Sequence, residues 1–240
     1  MRLTRNKQAE ALLFTKFRTY LARSPRGKEV HVSDLISPLL SYWKRVKPKP
    51  LSDKECLYFL SGIAHHTMLE AAIQGTAEES ITDTETGIVY SPDLAEWKGE
   101  IKTTRRSKIP LTEEEAKRVF VDYLKQCKMY MVLTKSLTWM LIPFFYSVEK
   151  PQRFYISKEP DIRVYDVTLT EAELKKEKAK LVKIKTLFEQ AMINNDPSAL
   201  PLCTAWKCYE LVNGKKIGKC PWWDDCKPKG RYTNEQFLLE

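Results

Sequence analysis

Ser91-Pro-Asp-Leu-Ala-Glu-Trp-Lys-Gly-Glu-Ile-Lys-Thr-Thr104 is the stretch on which the reading of this chain turns. Residues 87–94 and 99–103 are rich in β-branched and aromatic side chains, and Glu96-Trp97-Lys98-Gly99 between them has turn character, so the pattern predicts a hairpin. Side chains alternate across a strand, which puts Glu100 and Lys102 on one face. Asp93, on the partner strand, can lean toward that face. Two carboxylates and a lysine at one point suit a hard divalent cation, which takes oxygen ligands and keeps water positions open for a substrate phosphate. The lysine can orient or deprotonate an attacking water and offset charge developing on the phosphate. The plainer reading is a solvated surface hairpin, because Glu-x-Lys is ordinary in a chain that is 30% charged. The rest of the sequence has to decide between them.

The chain has 240 residues, enough for one large domain or one domain with an appendage, and its 43% apolar content excludes global disorder. A net charge of +9 favours a polyanionic partner, of which nucleic acid is the usual one. The N-terminal residues hold no apolar run of the signal-peptide kind, and the most apolar stretch, 129–145, is interrupted by Lys135 and Pro143. No membrane span is expected, and the chain reads as soluble and cytoplasmic. Six cysteines in a reducing compartment point to metal binding or core packing rather than disulfides.

Helical spacing predicts helices over 1–24, 31–46, 52–74, 112–134 and 170–194. Ser52 with Glu55 forms a capping box, and Glu113-Glu114-Glu115 sits in a first turn where the dipole favours anions. Residues 137–146 and 163–169 read as strands. The order helices, hairpin, helix, strand, strand, helix makes an α/β fold with a central mixed sheet. Three regions follow: a helical segment over 1–30, a core over 31–200, and a cysteine-rich segment over 201–240.

His65 and His66 are adjacent on a helix and point about 100° apart, so one of them can face a given site. Gln126 and Tyr130 are four apart on a largely buried helix and share a face, either as a polar pair at the core rim or as a gate for a nucleotide. Cys203, Cys208, Cys220 and Cys226 are four thiols in 24 residues, which suits a closed metal site. Asn213-Gly214 is a turn that would bring Cys208 and Cys220 together. The spacing is unlike paired zinc knuckles, and an iron–sulfur cluster tolerates it better. Cys56 and Cys127 fall on helices and read as packing residues, with Cys56 the alternative thiolate. Arg105, Arg106 and Lys108 are candidate phosphate contacts or a solvated loop.

Taken in chain order, Gly62-x3-His66-x2-Leu-Glu, Pro92-Asp93, Gly99-Glu100-Ile101-Lys102-Thr, Gln126-x3-Tyr130 and the C-terminal cysteines resemble the PD-(D/E)XK nuclease superfamily in its RecB-like branch. The pattern is most similar to CRISPR-adaptation exonucleases and related viral nucleases that carry a [4Fe-4S] cluster. The resemblance implies a restriction-endonuclease-like core. It selects His66 over His65 and implies that His66, Asp93, Glu100 and the Ile101 carbonyl hold Mg²⁺ or Mn²⁺. Lys102 would position the water, while Gln126 and Tyr130 would line the DNA path. The four cysteines would hold the cluster, with zinc as the alternative. Relatives commonly take one thiolate from the N-terminal segment, but Ser37 stands before Pro38 there, and Cys203 would supply the fourth ligand instead.

The expected activity is metal-dependent hydrolysis of DNA phosphodiesters, most simply as an exonuclease on single strands or ends. The rivals are a silent nucleic-acid-binding module and a zinc-stabilised interaction protein in a DNA-processing complex. Protein purified without oxygen is expected to be brown and to bleach with dithionite. A colourless protein carrying stoichiometric zinc would reject the iron–sulfur assignment.

Overall fold

The computed structural model describes residues 7–21, 27–73, 80–104, 106–151, 156–203, 209–212, 215–218, 220–222 and 225. In chain order the helices are α1 (Lys7–Leu21), α2 (Val32–Ile36), α3 (Pro38–Val46), α4 (Asp53–Ile73), α5 (Glu113–Val119), α6 (Val121–Leu133) and α7 (Glu171–Asn194). The strands are β1 (Val30–His31), β2 (Ile81–Thr82), β3 (Ile88–Tyr90), β4 (Gly99–Thr104), β5 (Thr138–Pro151), β6 (Ile156–Ile162), β7 (Tyr165–Thr168), β8 (Tyr209–Val212) and β9 (Lys215–Gly218). The fold is mixed α/β, with mixed sheets flanked by helices.

β5 is the centre of the largest sheet. β4 runs parallel along one edge of it, with Glu100 opposite Leu141 and Lys102 opposite Pro143. β6 and β7 run antiparallel to β5, β7 against residues 138–141 and β6 against residues 144–151. Alternation along β5 divides the core into two layers. Trp139, Leu141 and Phe145 join α6 and α7 in the main cluster, which includes Met131, Leu181 and Phe188. Met140 and Ile142 face the other way and pack with Ile101, Leu94, Leu69 and Ile73, the last two on α4. The register therefore puts Ile101 on the α4 face of β4 and Glu100 and Lys102 on the α6 face.

The expected hairpin is reduced to one bridge. Leu94 and Gly99 exchange both backbone hydrogen bonds, at 3.1 and 3.0 Å. β3, however, pairs in parallel with β1 and antiparallel with β2. Pro92 has no N–H to donate, which helps end the pairing before Asp93. The helix expected over 31–46 is broken at Ser37, and the one over 112–134 is broken at Phe120, which is buried against Phe145, Tyr165 and Tyr123. On α1, Leu12, Leu13 and Tyr20 are exposed. β8 and β9 form the hairpin expected near the cysteines, with Val212 opposite Lys215.

A largely buried ion pair links α2 and α3 at the N-terminal part of the core. Arg45 lies 2.6 Å from Asp34 and also donates to the carbonyls of Glu29 and Gly27, while its guanidinium covers the Phe188 ring on α7. Asp34 in turn accepts from the His31 amide and so caps α2. Arg45→Ala would leave a buried carboxylate without its cation. It is expected to cost about 3 kcal/mol in urea denaturation, because breaking one side of a buried pair is far costlier than breaking an exposed one.

Candidate active site at the start of β4

β4 is bonded to β5 along one edge only, so its outward amides need other partners. Asp93 supplies one. Its Oδ2 accepts from the Ile101 N–H at 2.7 Å, and the side chain is only 4% exposed. That bond pulls Asp93 against the middle of Glu100-Ile101-Lys102. In an extended strand a residue's N–H and C=O point to the same edge, so the Ile101 carbonyl faces the Asp93 side too. The same carboxylate oxygen lies 3.0 Å from His66 Nε2, on α4, and 3.9 Å from Lys102 Nζ.

Glu100 is 0% exposed. Its Oε1 accepts from Lys102 Nζ, and from Gln126 Nε2 at 2.5 Å. Gln126 also donates to the Tyr130 hydroxyl at 2.8 Å, and that hydroxyl donates to the Ser91 carbonyl at 3.0 Å. The result is a closed ring of contacts: the Ser91–Asp93 turn, β4, and the Gln126–Tyr130 face of α6. The turn, the strand that follows it and a helix further along the chain are tied together around two buried carboxylates.

Tyr130 is 3% exposed and lies between the rings of Tyr90 and Trp139. Its ring is buried and its hydroxyl is committed to the Ser91 carbonyl, so in this arrangement Tyr130 braces the site. The two histidines separate as their helical angle requires. His66 meets Asp93, whereas His65 bonds the Ser61 carbonyl at 2.7 Å and stacks on Tyr146 at 5.1 Å. A Cβ added at Gly62 would lie 3.5 Å from Thr103 Oγ1, ordinary contact, so close packing of α4 on β4 does not demand glycine.

Burial pushes the Lys102 amine down, but Glu100 and Asp93 together push it further up, and the net result lies well above the ordinary lysine range. Lys102 is therefore an ammonium at neutral pH in this arrangement. As an ammonium it can orient water or balance phosphate charge. Tyr123, three residues before Gln126 on α6, is a neighbour that the sequence reading did not single out. Burial raises its phenol pKa, while Lys102 and Arg106 lower it. The i, i+3, i+7 spacing of Tyr123, Gln126 and Tyr130 was the available signal. Cys127, fully buried beneath, is held as a thiol by burial and by the Glu100 charge. It packs, as does Cys56, which is equally buried.

Arg106 is exposed, with its amide bonded to Thr104 Oγ1, and Arg105 lies outside the described residues. Cys203 is buried in the main core and Cys220 is half-buried. Pro221 and Trp222, next to Cys220, dock on the end of α3. The Trp222 indole donates to the Lys47 carbonyl at 2.8 Å, and Lys49 bonds the Pro221 carbonyl. Cys208 and Cys226 lie outside the described residues, and with them the four-thiolate set.

The donor chemistry at β4 (two carboxylates, an imidazole and an outward carbonyl) fits a hard or borderline divalent cation. The arrangement shown is an ion-pair network, and no group of three or more His, Cys, Asp or Glu among the described residues is set at metal-holding distance. Lys102 balances the carboxylate charge here. A cavity of about 1000 Å³ lies elsewhere, bordered by Phe120, Leu124, Leu181 and Ile184, and includes none of Asp93, Glu100 or Lys102.

No protein-family model matches the chain. No curated protein matches it either. Among solved structures it is similar to SSO0001, at 18% identity over 74% of this chain and 87% of that one, with a TM-score of 0.41.

Two outcomes follow from the ion-pair ring. Tyr130→Phe removes one buried donor and leaves the Ser91 carbonyl short of it, which is expected to cost about 1 to 2 kcal/mol in urea denaturation. Lys102→Met leaves Glu100 buried without its ammonium and is expected to cost about 3 kcal/mol at pH 7. Because the folded pKa of Lys102 is raised, its contribution is complete below the unfolded value. The gap between wild type and Lys102→Met should therefore narrow as the pH rises past about 10.4. A gap that widened there would contradict the assignment.

Proposed function

We propose that the chain is a divalent-metal-dependent deoxyribonuclease of the PD-(D/E)XK type, built on a restriction-endonuclease-like core. The observation that carries this reading is the bond from the Ile101 amide to Asp93. It brings both carboxylates and Lys102 to one buried point, with His66 against Asp93. A merely solvated hairpin would leave those carboxylates in water, yet both are almost fully buried.

In this reading His66, Asp93, Glu100 and the Ile101 carbonyl would hold Mg²⁺ or Mn²⁺. Such a cation supplies a Lewis acid for a phosphoryl oxygen and lowers the pKa of bound water. The chain's own groups do the rest. Lys102 would offset the negative charge that grows on the phosphate and orient the incoming water. Gln126 fixes Glu100 Oε1, and Tyr130 fixes Gln126 against the Ser91 turn, so the carboxylate enters the reaction already aimed. Arg106, exposed just beyond β4, would contact a backbone phosphate, with Arg105 beside it in sequence. Cys203, Cys208, Cys220 and Cys226 would hold a [4Fe-4S] cluster, or zinc, and brace the C-terminal segment against the core. The substrate is DNA, cut most simply from an end and on single strands.

The test is degradation of end-labelled linear DNA with Mg²⁺, Mn²⁺ or EDTA, comparing wild type with Glu100→Gln and Lys102→Met, each checked for folding by circular dichroism. Wild type is expected to cut with metal and not with EDTA. Each folded variant should be slower by about 10²- to 10³-fold, the cost of losing one preorganised charge. Binding without cleavage by folded wild type, in every metal, would move the chain to the class of DNA-binding or assembly modules.

A further inference from the structure

The four-residue turn that joins the two carboxylates carries a large aromatic ring into solvent. Trp97 is 57% exposed, flanked by the exposed Glu96 and Lys98. Single exposed apolar residues are normal, so the exposure alone decides nothing. The turn beneath it does. Leu94 and Gly99 close it with two backbone bonds, the Lys98 amide bonds the Ala95 carbonyl, and the Lys98 carbonyl accepts from Met140 of β5 at 2.8 Å. Lys98 itself adopts a left-handed φ of 50°. A non-glycine residue in that region is a strained choice held by its surroundings. The indole is thus mounted on a fixed turn rather than a free loop.

The mounting lies beside the chemistry. Trp97 is three residues from Glu100, so its Cα lies no more than about 11 Å from that of Glu100 along the chain. A strand with a phosphate held at Asp93 and Glu100 would have its neighbouring nucleotides at a separation of that order, since successive phosphates along a strand are only a few ångströms apart. Lys98 adds a cation next to it, in a chain of net charge +9. Every base has a π-face, and aromatic rings on a basic surface are how unpaired bases are held without sequence preference. In a duplex those faces are covered by the neighbouring base pairs.

Resting on the nuclease reading above, we propose that Trp97 is a specificity element of the site: it stacks on an unpaired base next to the phosphate held at β4, and Lys98 neutralises the backbone there. The site then selects single strands and frayed ends over closed duplex.

The test is equilibrium binding, with Ca²⁺ replacing Mg²⁺, of labelled oligothymidylate, an abasic strand of equal length and a blunt duplex. The proteins are wild type, Trp97→Ala and Trp97→Phe. Trp97→Ala is expected to weaken oligothymidylate binding by roughly five- to a hundredfold while leaving the abasic strand and the duplex unchanged. Trp97→Phe, which keeps a ring, should recover most of the loss. An unchanged oligothymidylate affinity in Trp97→Ala, or an equal loss on the abasic strand, overturns the stacking role. Wild type that binds none of the three probes overturns the nuclease reading itself, whatever Trp97 does.

Discussion

An edge strand with a buried charged face has two problems, and one hydrogen bond addresses both. The Ile101 amide points away from β5 and needs an acceptor, while Glu100 and Lys102 flank it on the opposite face to Ile101's own side chain. Asp93 accepts the amide at 2.7 Å and thereby adds a second buried carboxylate beside the first. Burying two carboxylates together is unfavourable unless cations or donors are supplied. Lys102, His66 and Gln126 supply them, from β4, α4 and α6. The placement of both flanking helices relative to β4 follows from that demand as much as from apolar packing.

The two-layer core makes the arrangement stiff. Trp139, Leu141 and Phe145 of β5 feed the main cluster against α6 and α7, and Met140 and Ile142 feed the smaller one against α4. Because β4 lies in register with β5, a slip of one residue would turn Glu100 and Lys102 toward α4 and Ile101 toward α6. The apolar set on both faces forbids that slip. The polar ring through Gln126, Tyr130 and Ser91 adds a second lock, since every one of its bonds would be lost together.

Much of this was legible in the residues. Ser52 with Glu55 forms the capping interaction that its spacing announces, and the helix starts expected at 112 and 170 are capped by Thr112 and by Thr170 with Glu173. The pairing of Glu100 with Lys102 followed from strand alternation alone. What was not legible depended on long-range partners. β3 is claimed by β1 and β2, which local propensity cannot reveal, so the expected hairpin shrank to one bridge. β6, Ile156-Ser-Lys-Glu-Pro-Asp-Ile162, is too polar to read as a strand and forms because β5 is long enough to template it. The spacing of Gln126 and Tyr130 allowed a polar pair at the core rim or a nucleotide gate, and the bond from Tyr130 to the Ser91 carbonyl, a partner remote in sequence, was not legible.

In the proposed reading, Asp93 and Glu100 form one cation-binding unit with His66. Titration of Mn²⁺ into the folded protein, followed by the loss of the free-ion electron paramagnetic resonance signal, tests it most directly. Wild type should bind Mn²⁺ stoichiometrically, and Asp93→Asn and Glu100→Gln should each weaken that binding strongly while remaining folded. Binding that is absent in wild type, or indifferent to both substitutions, would contradict the account and leave the buried carboxylates as a structural ion-pair network.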